Sequence, residues 1–154
     1  MASNDSESLQ RSCRAVAWSC AAANVRRASR VVSQLYAKAL APVGLEGTQF
    51  TLLIAAGATG GLPLSNLADA LVMDRTTLSR NLKPLQRRGL VTVAAGADRR
   101  VRHVSLTPAG RAVLRRALPL WQQAQARVIA ALGRPRFDTL FRELDALVAL
   151  LRQG

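Results

Sequence analysis

The chain has 154 residues, of which 49% are apolar, so it is long enough for one domain with a hydrophobic core or for a small module with helical extensions. Its 22 Lys and Arg against 9 Asp and Glu give a formal net charge of +13, which indicates an anionic partner, either nucleic acid or an acidic membrane surface. No segment approaches 18 uninterrupted apolar residues, which excludes a membrane span, and the basic charge suits a cytoplasmic protein.

The first predicted elements are helical and lie before Pro42. Residues 1–7 are polar and acidic, which indicates a frayed tail. Residues 9–40 contain no Gly or Pro, and apolar side chains recur there at steps of three and four, namely Val25, Ala28, Val32, Leu35 and Ala39. This pattern predicts one long helix, or two in sequence, that ends before Pro42 and Gly44.

Three further helices are predicted before residue 90. Thr48 can cap a helix that ends near Gly57, and Ser65 can cap a short helix over residues 66–72. Asp74 is a suitable N-cap for a third helix, which begins at Arg75 and stops at Gly89.

Pro84 interrupts this third helix, because proline lacks an N–H and crowds the carbonyl four residues earlier. One interpretation is a single helix with a kink over residues 80–84. The alternative is that the helix ends at Lys83, since the residue before proline disfavours helical geometry. Leu85 continues the apolar stripe of Leu78 and Leu82, which favours the single helix.

The sequence then changes its period. Residues 90–94 and 101–107 have the composition and alternation of strands, and "AGADRR" between them is a turn, which together predict a β-hairpin. Thr107 and Pro108 start a long helix that reaches Gly133 and should bend at Pro119. A last helix is predicted over residues 135–152, with one apolar stripe from Phe137 to Leu151.

The order of helix, short helix, basic helix and hairpin is typical of a winged helix-turn-helix. The leucines bury one face of the basic helix, and the opposite face presents hydroxyls and cations suited to base edges and phosphates of a major groove. The candidate DNA-binding residues on this helix are Arg75, Thr76, Thr77, Ser79, Arg80 and Lys83. The alternative is a solvated charged face on an ordinary amphipathic helix.

Residues 75–116 hold 11 of the 22 Lys and Arg together with a single acid, Asp98. The predicted hairpin tip supplies Arg99, Arg100 and Arg102 to this set. An arginine at such a tip can enter a narrow minor groove, where the potential is most negative, and Asp98 could hold one guanidinium in place. The alternative is a hairpin tip whose charges serve solubility alone.

Residues 48–114, "TQFTLLIAAGATGGLPLSNLADALVMDRTTLSRNLKPLQRRGLVTVAAGADRRVRHVSLTPAGRAVL", resemble the MarR family of bacterial transcriptional regulators. The D-x-R pattern of the wing matches at Asp98 and Arg100, and "SLTPAG" follows it as in that family. The long helix before this segment and the two helices after it also match the family's order. The resemblance therefore extends over nearly the whole chain.

This resemblance implies a mainly α fold with a small β-hairpin wing, in which N- and C-terminal helices form a homodimer. It divides the chain into an N-terminal dimerisation segment at 1–44, a DNA-binding domain at 45–107 and C-terminal dimerisation helices at 108–154. Two winged helices would read a pseudo-palindrome in double-stranded DNA, with half-sites about 34–36 Å apart. Arg100 would be the minor-groove residue and Asp98 its support, in a protein associated with the bacterial nucleoid.

The resemblance also implies an effector, because many members release DNA when a small aromatic acid or an oxidant acts on them. In some members ligands bind between the dimer helices and the winged helix. A crevice of that kind could be lined by Trp18, Tyr36, Phe50 and Trp121. We favour the alternative that these side chains pack the core, because aromatic residues make up only 4% of the chain.

Two cysteines, Cys13 and Cys20, are candidates for oxidation. Within one helix they would stand about 10.5 Å apart along the axis, too far for a disulfide. Peroxide-sensing members carry a Cys near the place of Cys20 but surround it with tyrosines, whereas this chain has only Tyr36. We therefore favour a buried, inert Cys20, with a disulfide between subunits as the open alternative.

The leading hypothesis is a sequence-specific regulator, expected to be a repressor, and the alternative is a non-specific architectural DNA-binding protein. The Thr, Ser and Asn81 side chains among the arginines of the basic helix favour sequence specificity. We expect no enzyme activity, because 154 residues leave no room for a catalytic domain and no nucleotide-binding loop or nucleophile motif is present. The two cysteines and the lone His103 predict neither a metal site nor a cofactor.

Overall fold

The computed structural model describes residues 2–59, 61–96 and 101–152, with side chains from Ser6 onward. It divides into two compact units, Met1–Tyr36 and Ala37–Gly154. The described residues are mainly helical and carry one small antiparallel sheet, which confirms the predicted fold class.

The N-terminal region consists of helix α1, Ala2–Ser19, and helix α2, Ala21–Leu40. Of the two predicted arrangements, one long helix or two helices in sequence, the second is therefore correct. The predicted frayed tail is wrong from Ala2 onward, because helical hydrogen bonding can propagate through a segment without Gly or Pro. Asn24 Nδ2 donates to the carbonyls of Trp18 (3.2 Å) and Cys20 (3.0 Å), where the two helices meet.

A 3₁₀ turn, Ala41–Val43, leads to Gly44 and then to helix α3, Gly47–Ala58. Glu46, and not Thr48, is the N-cap of α3, because Glu46 and Gln49 form a reciprocal capping box. Strand β1, Leu62–Pro63, precedes helix α4, Leu64–Ala70. The prediction that Ser65 caps α4 is wrong, since the helix begins two residues earlier than predicted and Pro63 occupies the cap position.

Helix α5, Arg75–Arg87, follows a short turn, and the wing consists of strands β2, Val91–Ala95, and β3, Arg102–Leu106. The sheet has the order β1-β3-β2, so β3 is its central strand. The sequence did not predict β1, because two residues are too few for an alternating pattern. Pairing of Leu62 with Val104 nevertheless joins the start of α4 to the wing.

Helix α6, Pro108–Leu132, continues through Pro119, and helix α7, Arg134–Leu151, completes the fold. The core of the second unit lies among α3, α4, α5 and the sheet. Its largest fully buried side chains are Leu40, Leu52, Leu53, Leu67, Leu78, Leu82, Leu85 and Val104. This core holds the basic helix and the wing in place beside each other.

Candidate nucleic-acid interface

The start of α5 is fixed by Asp74. One carboxylate oxygen accepts a hydrogen bond from the Thr77 backbone N–H at 2.8 Å, and the other accepts from the Thr77 hydroxyl at 2.7 Å. The hydroxyl bond, followed by the backbone bond, lowers the pKa of Asp74 below its ordinary value of 3.8. The prediction that Asp74 is the N-cap of α5 is thus confirmed. The Thr77 hydroxyl hydrogen is already used in the bond to Asp74.

The two faces of α5 differ as the sequence predicts. Leu78, Leu82 and Leu85 are at most 2% exposed and form part of the core. The opposite side carries exposed side chains at steps of three and four, namely Thr76, Ser79, Arg80 and Lys83. Arg75 is exposed as well, whereas Thr77 is half-buried beside the cap. The helix therefore presents a polar, cationic row on the side opposite the core.

Pro84 lies inside α5, which runs without a break to Arg87. The alternative that the helix ends at Lys83 is wrong, because burial of Leu85 draws the last turn onto the core. The backbone N–H of Arg88 donates to the Pro84 carbonyl at 3.1 Å, and Gly89 then leaves the helix with a φ of 66°. The helix stops where its sequence predicts, at the left-handed glycine. A kink near residues 80–84 stays a prediction.

The wing is a regular antiparallel hairpin, in which Val91 pairs with Leu106 and Ala95 with Arg102. The exposed Arg102 guanidinium donates to the Val93 carbonyl at 3.1 Å, which holds this side chain against the neighbouring strand. The predicted tip residues Asp98, Arg99 and Arg100 lie outside the described residues. The described part of the wing thus places one of the four candidate wing residues.

Arg75 and Arg102 reach a common cleft between α5 and the wing. The cleft encloses about 330 Å³ and is lined by Leu64, Ser65, Arg75, Leu78, Ser79, Val101 and Arg102. Two guanidinium groups and two hydroxyls beside an apolar base suit an anionic oxygen group such as a backbone phosphate. Sequence reasoning missed Ser65, because no spacing rule links the start of α4 to Val101 and Arg102, which follow it by 36 and 37 residues.

The four aromatic side chains proposed for a ligand crevice fall into both units. Phe50 is 7% exposed and stacks on Trp121, with ring centroids 6.3 Å apart. For this pair the packing interpretation fits, since α3 and α6 bury the rings between them. Trp18 is 77% exposed, so core packing within the described chain is wrong for that residue. Partial burial raises the pKa of Tyr36 above its ordinary value of 10.0.

An apolar groove lies between α3, β3 and α6. It encloses about 400 Å³ and is lined by Ile54, Gly57, Ala58, Leu106, Arg111, Leu114, Arg115 and Leu118. Arg111 donates to the Leu106 carbonyl at 2.8 Å, which holds one cationic group at the rim. The groove combines leucine walls with two arginines, and the sequence did not predict it because its walls come from three separate elements.

Cys13 is exposed and Cys20 is half-buried at the junction of α1 and α2, and both thiols are free. The expected full burial of Cys20 is therefore wrong, because the junction leaves this side chain partly uncovered. Among the described residues, no group of three or more His, Cys, Asp or Glu could hold a metal ion. The His103 Nδ1 atom is buried and has no hydrogen-bond partner there.

Within residues 2–59, 61–96 and 101–152, no single helix is long and apolar enough to cross a membrane. In that part of the chain, only a bent pair, Ala21–Val43 with Gly47–Ala58, reaches the required length and composition together.

A capped basic helix that follows a short helix and precedes a β-hairpin defines a winged helix-turn-helix protein. A family model described as "MarR family" matches residues 43–101. No curated protein matches the chain. Solved structures, in contrast, match it over most of its length.

The transcriptional regulator MosR of M. tuberculosis, solved in complex with DNA, is 42% identical, with a TM-score of 0.72, covering 84% of this chain and 98% of its own. A probable transcriptional regulator from Pseudomonas aeruginosa is 31% identical, with a TM-score of 0.76 and coverages of 84% and 97%. The transcriptional repressor CouR, bound to a 23-mer DNA duplex, is 29% identical, with a TM-score of 0.78 and coverages of 86% and 95%. The chain belongs to the MarR family of transcriptional regulators.

Proposed function

We propose that this regulator is a homodimeric, sequence-specific repressor that binds a pseudo-palindromic operator in duplex DNA. The observation that carries the proposal is the exposed row Thr76, Ser79, Arg80 and Lys83, which the buried leucines of α5 hold opposite the core. Hydroxyls and guanidinium groups on one helix face suit both base edges and phosphates. MosR and CouR, both solved with DNA, support the same kind of partner here.

In this proposal, residues 1–44 and 108–154 form the dimer interface, and residues 45–107 bind DNA. An exposed apolar row on α7 supports this division, and it consists of Leu140, Phe141, Leu144, Leu147, Val148 and Leu151. A contiguous apolar face of this size is unfavourable in water and marks a protein contact. A second copy of the chain is the proposed occupant, and the regulator would act in the cytoplasm on the bacterial nucleoid.

The wing would contribute both shape readout and phosphate binding. Arg100 is the proposed minor-groove residue, supported by Asp98 and flanked by Arg99, on the strength of the D-x-R pattern. At the base of the wing, the cleft with Arg75, Ser79 and Arg102 would hold a backbone phosphate. Ser65 joins the proposed interface through the same cleft.

A small aromatic acid, or a conjugate of one, is the proposed effector that releases the repressor. CouR has also been solved with p-coumaroyl-CoA, at 27% identity to this chain. The groove between α3, β3 and α6 has the matching chemistry, since leucines can cover an aromatic body and Arg111 and Arg115 can pair with an anionic group. The aromatic side chains Trp18, Tyr36, Phe50 and Trp121 would contribute only where the dimer brings them near a ligand.

Oxidation is the second proposed signal, and it rests on the exposure of Cys13 and the partial exposure of Cys20. In a dimer, two copies of α1 and of its junction with α2 could bring thiols of different subunits together. A disulfide between subunits would then constrain the N-terminal helices.

The experiment that tests the function is selection of bound duplexes from a random pool, followed by affinity measurements on selected and random DNA at physiological salt. A repressor is expected to prefer its selected site by at least about 10³-fold. Equal affinity for both would instead identify an architectural protein. Repeating the measurement with aromatic acids and with peroxide tests the two signals, and a Cys13→Ser and Cys20→Ser double variant is the control for peroxide.

A further inference from the structure

The Arg88 side chain, directly after α5, makes hydrogen bonds to a distant part of the chain. Its Nη1 atom donates to the Gly44 carbonyl at 2.7 Å and lies 3.5 Å from Gln49 Oε1. Because the donor is a cation, the shorter bond is of the stronger, charge-assisted kind. The two contacts join the end of the basic helix to Gly44 and Gln49, which precede Arg88 by 44 and 39 positions in the sequence.

The contacted segment is itself conformationally fixed. Gly44 adopts a left-handed φ of 63° and ends the 3₁₀ turn, with its N–H donating to the Ala41 carbonyl at 2.9 Å. Gln49 Oε1 accepts from the Glu46 backbone N–H at 3.3 Å within the capping box of α3. Arg88 is therefore hydrogen-bonded to the segment that connects α2 to α3.

Arg87 provides an internal contrast. It carries the same charge, stands one position earlier and is also exposed. Among the residues that the structure describes, none accepts a hydrogen bond from its side chain. The sequence alone treats these two arginines alike, as backbone contacts or as charges that suit a helix C-terminus.

We propose that Arg88 is a positioning residue, which sets the angle of α5 relative to the α2–α3 connection and thereby the half-site spacing that the dimer accepts. The proposal rests on the DNA-binding function proposed above. Thr76 lies roughly 18 Å from Arg88 along the helix, at 1.5 Å per residue. A swing of about 5° at the Arg88 end would displace the reading end by about 1.6 Å, enough to disturb base contacts in two half-sites at once.

The test compares Arg88→Met with the matched control Arg87→Met in the full-length dimer. Affinity is measured for the selected operator and for versions with one base pair added or removed between the half-sites, at several salt concentrations. For Arg88→Met, we expect the preference for native spacing to fall at least fivefold, with an unchanged salt slope. If Arg87 contacts phosphate, its loss lowers the slope by about 0.9 per contact, or about 1.8 per dimer, and leaves the spacing preference as it was.

Two results would overturn the proposal. One is a reduced salt slope in Arg88→Met, which would make Arg88 a phosphate contact, and the other is an unchanged spacing preference. Thermal unfolding and size-exclusion chromatography establish that each variant is folded and dimeric. Should Arg88→Met not fold, Arg88→Gln keeps a polar side chain but loses the charge-assisted bond, and a wild-type spacing preference in that variant would contradict the proposal. Failure of the wild-type protein to prefer any operator would refute the DNA-binding function itself, independently of Arg88.

Discussion

At the residue scale, Thr107 and Gly110 explain why "SLTPAG" follows the wing. The Thr107 hydroxyl donates to the Gly89 carbonyl at 2.6 Å and accepts from the Gly110 N–H at 3.0 Å, so it caps α6 and ties that helix to the end of α5. Gly110 allows the Leu90 carbonyl to approach closely, because a Cβ at this position would overlap that oxygen. This close contact between two backbone segments leaves no room for any side chain at position 110.

We therefore expect Gly110→Ala to destabilise the protein by about 1–3 kcal/mol, since the added methyl must push apart two backbone segments. Gly47→Ala is the matched control, because Gly47, like Gly110, lies in the first turn of a helix, but a methyl group added there would have no atom within 4 Å. That variant should be neutral or gain about 0.4–1 kcal/mol. Urea unfolding of both variants measures the difference, and equal stabilities would contradict the close approach.

Asp74 gives the fold a pH dependence in acid. Hydrogen bonds from Thr77 lower the pKa of Asp74, so its stabilising effect is fully present above the unfolded value of 3.8 and is lost as the pH falls through the lower folded value. We expect Asp74→Ala to lower the unfolding temperature by a few degrees near neutral pH, whereas Asp74→Asn keeps a cap that does not titrate. Thermal unfolding across the acid range should show this part of the pH dependence in wild type alone.

At the scale of elements, the two faces of α5 have different roles. Buried leucines hold the helix on the core, and the exposed row is left to contact DNA. Pro84 lies beyond the first two turns, so any distortion that it causes spares the end with Thr76 and Ser79. Thr76 and Ser79 thus lie ahead of residues 80–84, where proline would distort the helix.

Within this helix, Arg80→Ala should reduce affinity and relax base preference at one position of each half-site, since a bidentate arginine contact to guanine contributes about 1–3 kcal/mol of discrimination. Lys83→Ala, one turn further along the same exposed row, is the control and should weaken binding to all sequences alike. Competition among operator variants measures both effects. A uniform loss in Arg80→Ala would identify Arg80 as a phosphate contact.

For the wing, Arg100→Ala is expected to weaken operator binding by at least about 1 kcal/mol, because a groove arginine supplies both charge and shape readout. Arg102→Ala offers a comparison, since its guanidinium is also bound to the Val93 carbonyl and its loss should disturb the hairpin as well. Affinity at physiological salt, together with unfolding temperature, separates these roles. Wild-type operator affinity in Arg100→Ala would contradict the assignment of Arg100 to the DNA interface.

At the scale of the whole molecule, the net charge of +13 makes DNA binding an electrostatic event. Each phosphate contact releases counterions, so the logarithm of the binding constant should fall linearly with the logarithm of salt concentration. For a dimer with about 6–10 contacts, the expected loss is about 10³- to 10⁵-fold between 50 and 200 mM salt. A titration that changed affinity by less than tenfold over this range would argue against a phosphate-based interface.

Local chemistry determined much of this protein from its sequence. Asp74, Gly89, Thr107 and Pro108 mark helix ends through hydrogen bonds and backbone angles that depend on neighbouring residues, so the bounds of α5 and the start of α6 were predictable. The leucine spacing likewise predicted which face of α5 is buried. The family followed from these elements in order, because their local signals agree.

Contacts between distant residues could be decided only by the tertiary structure. Nothing near Arg88 in sequence distinguishes it from Arg87, yet of these two only Arg88 reaches the Gly44 carbonyl. Ser65 likewise joins Arg102 in one cleft because β1 pairs with β3. The physical reason is that side-chain spacing along a helix specifies a face, whereas the groups that the face meets depend on how the whole chain packs.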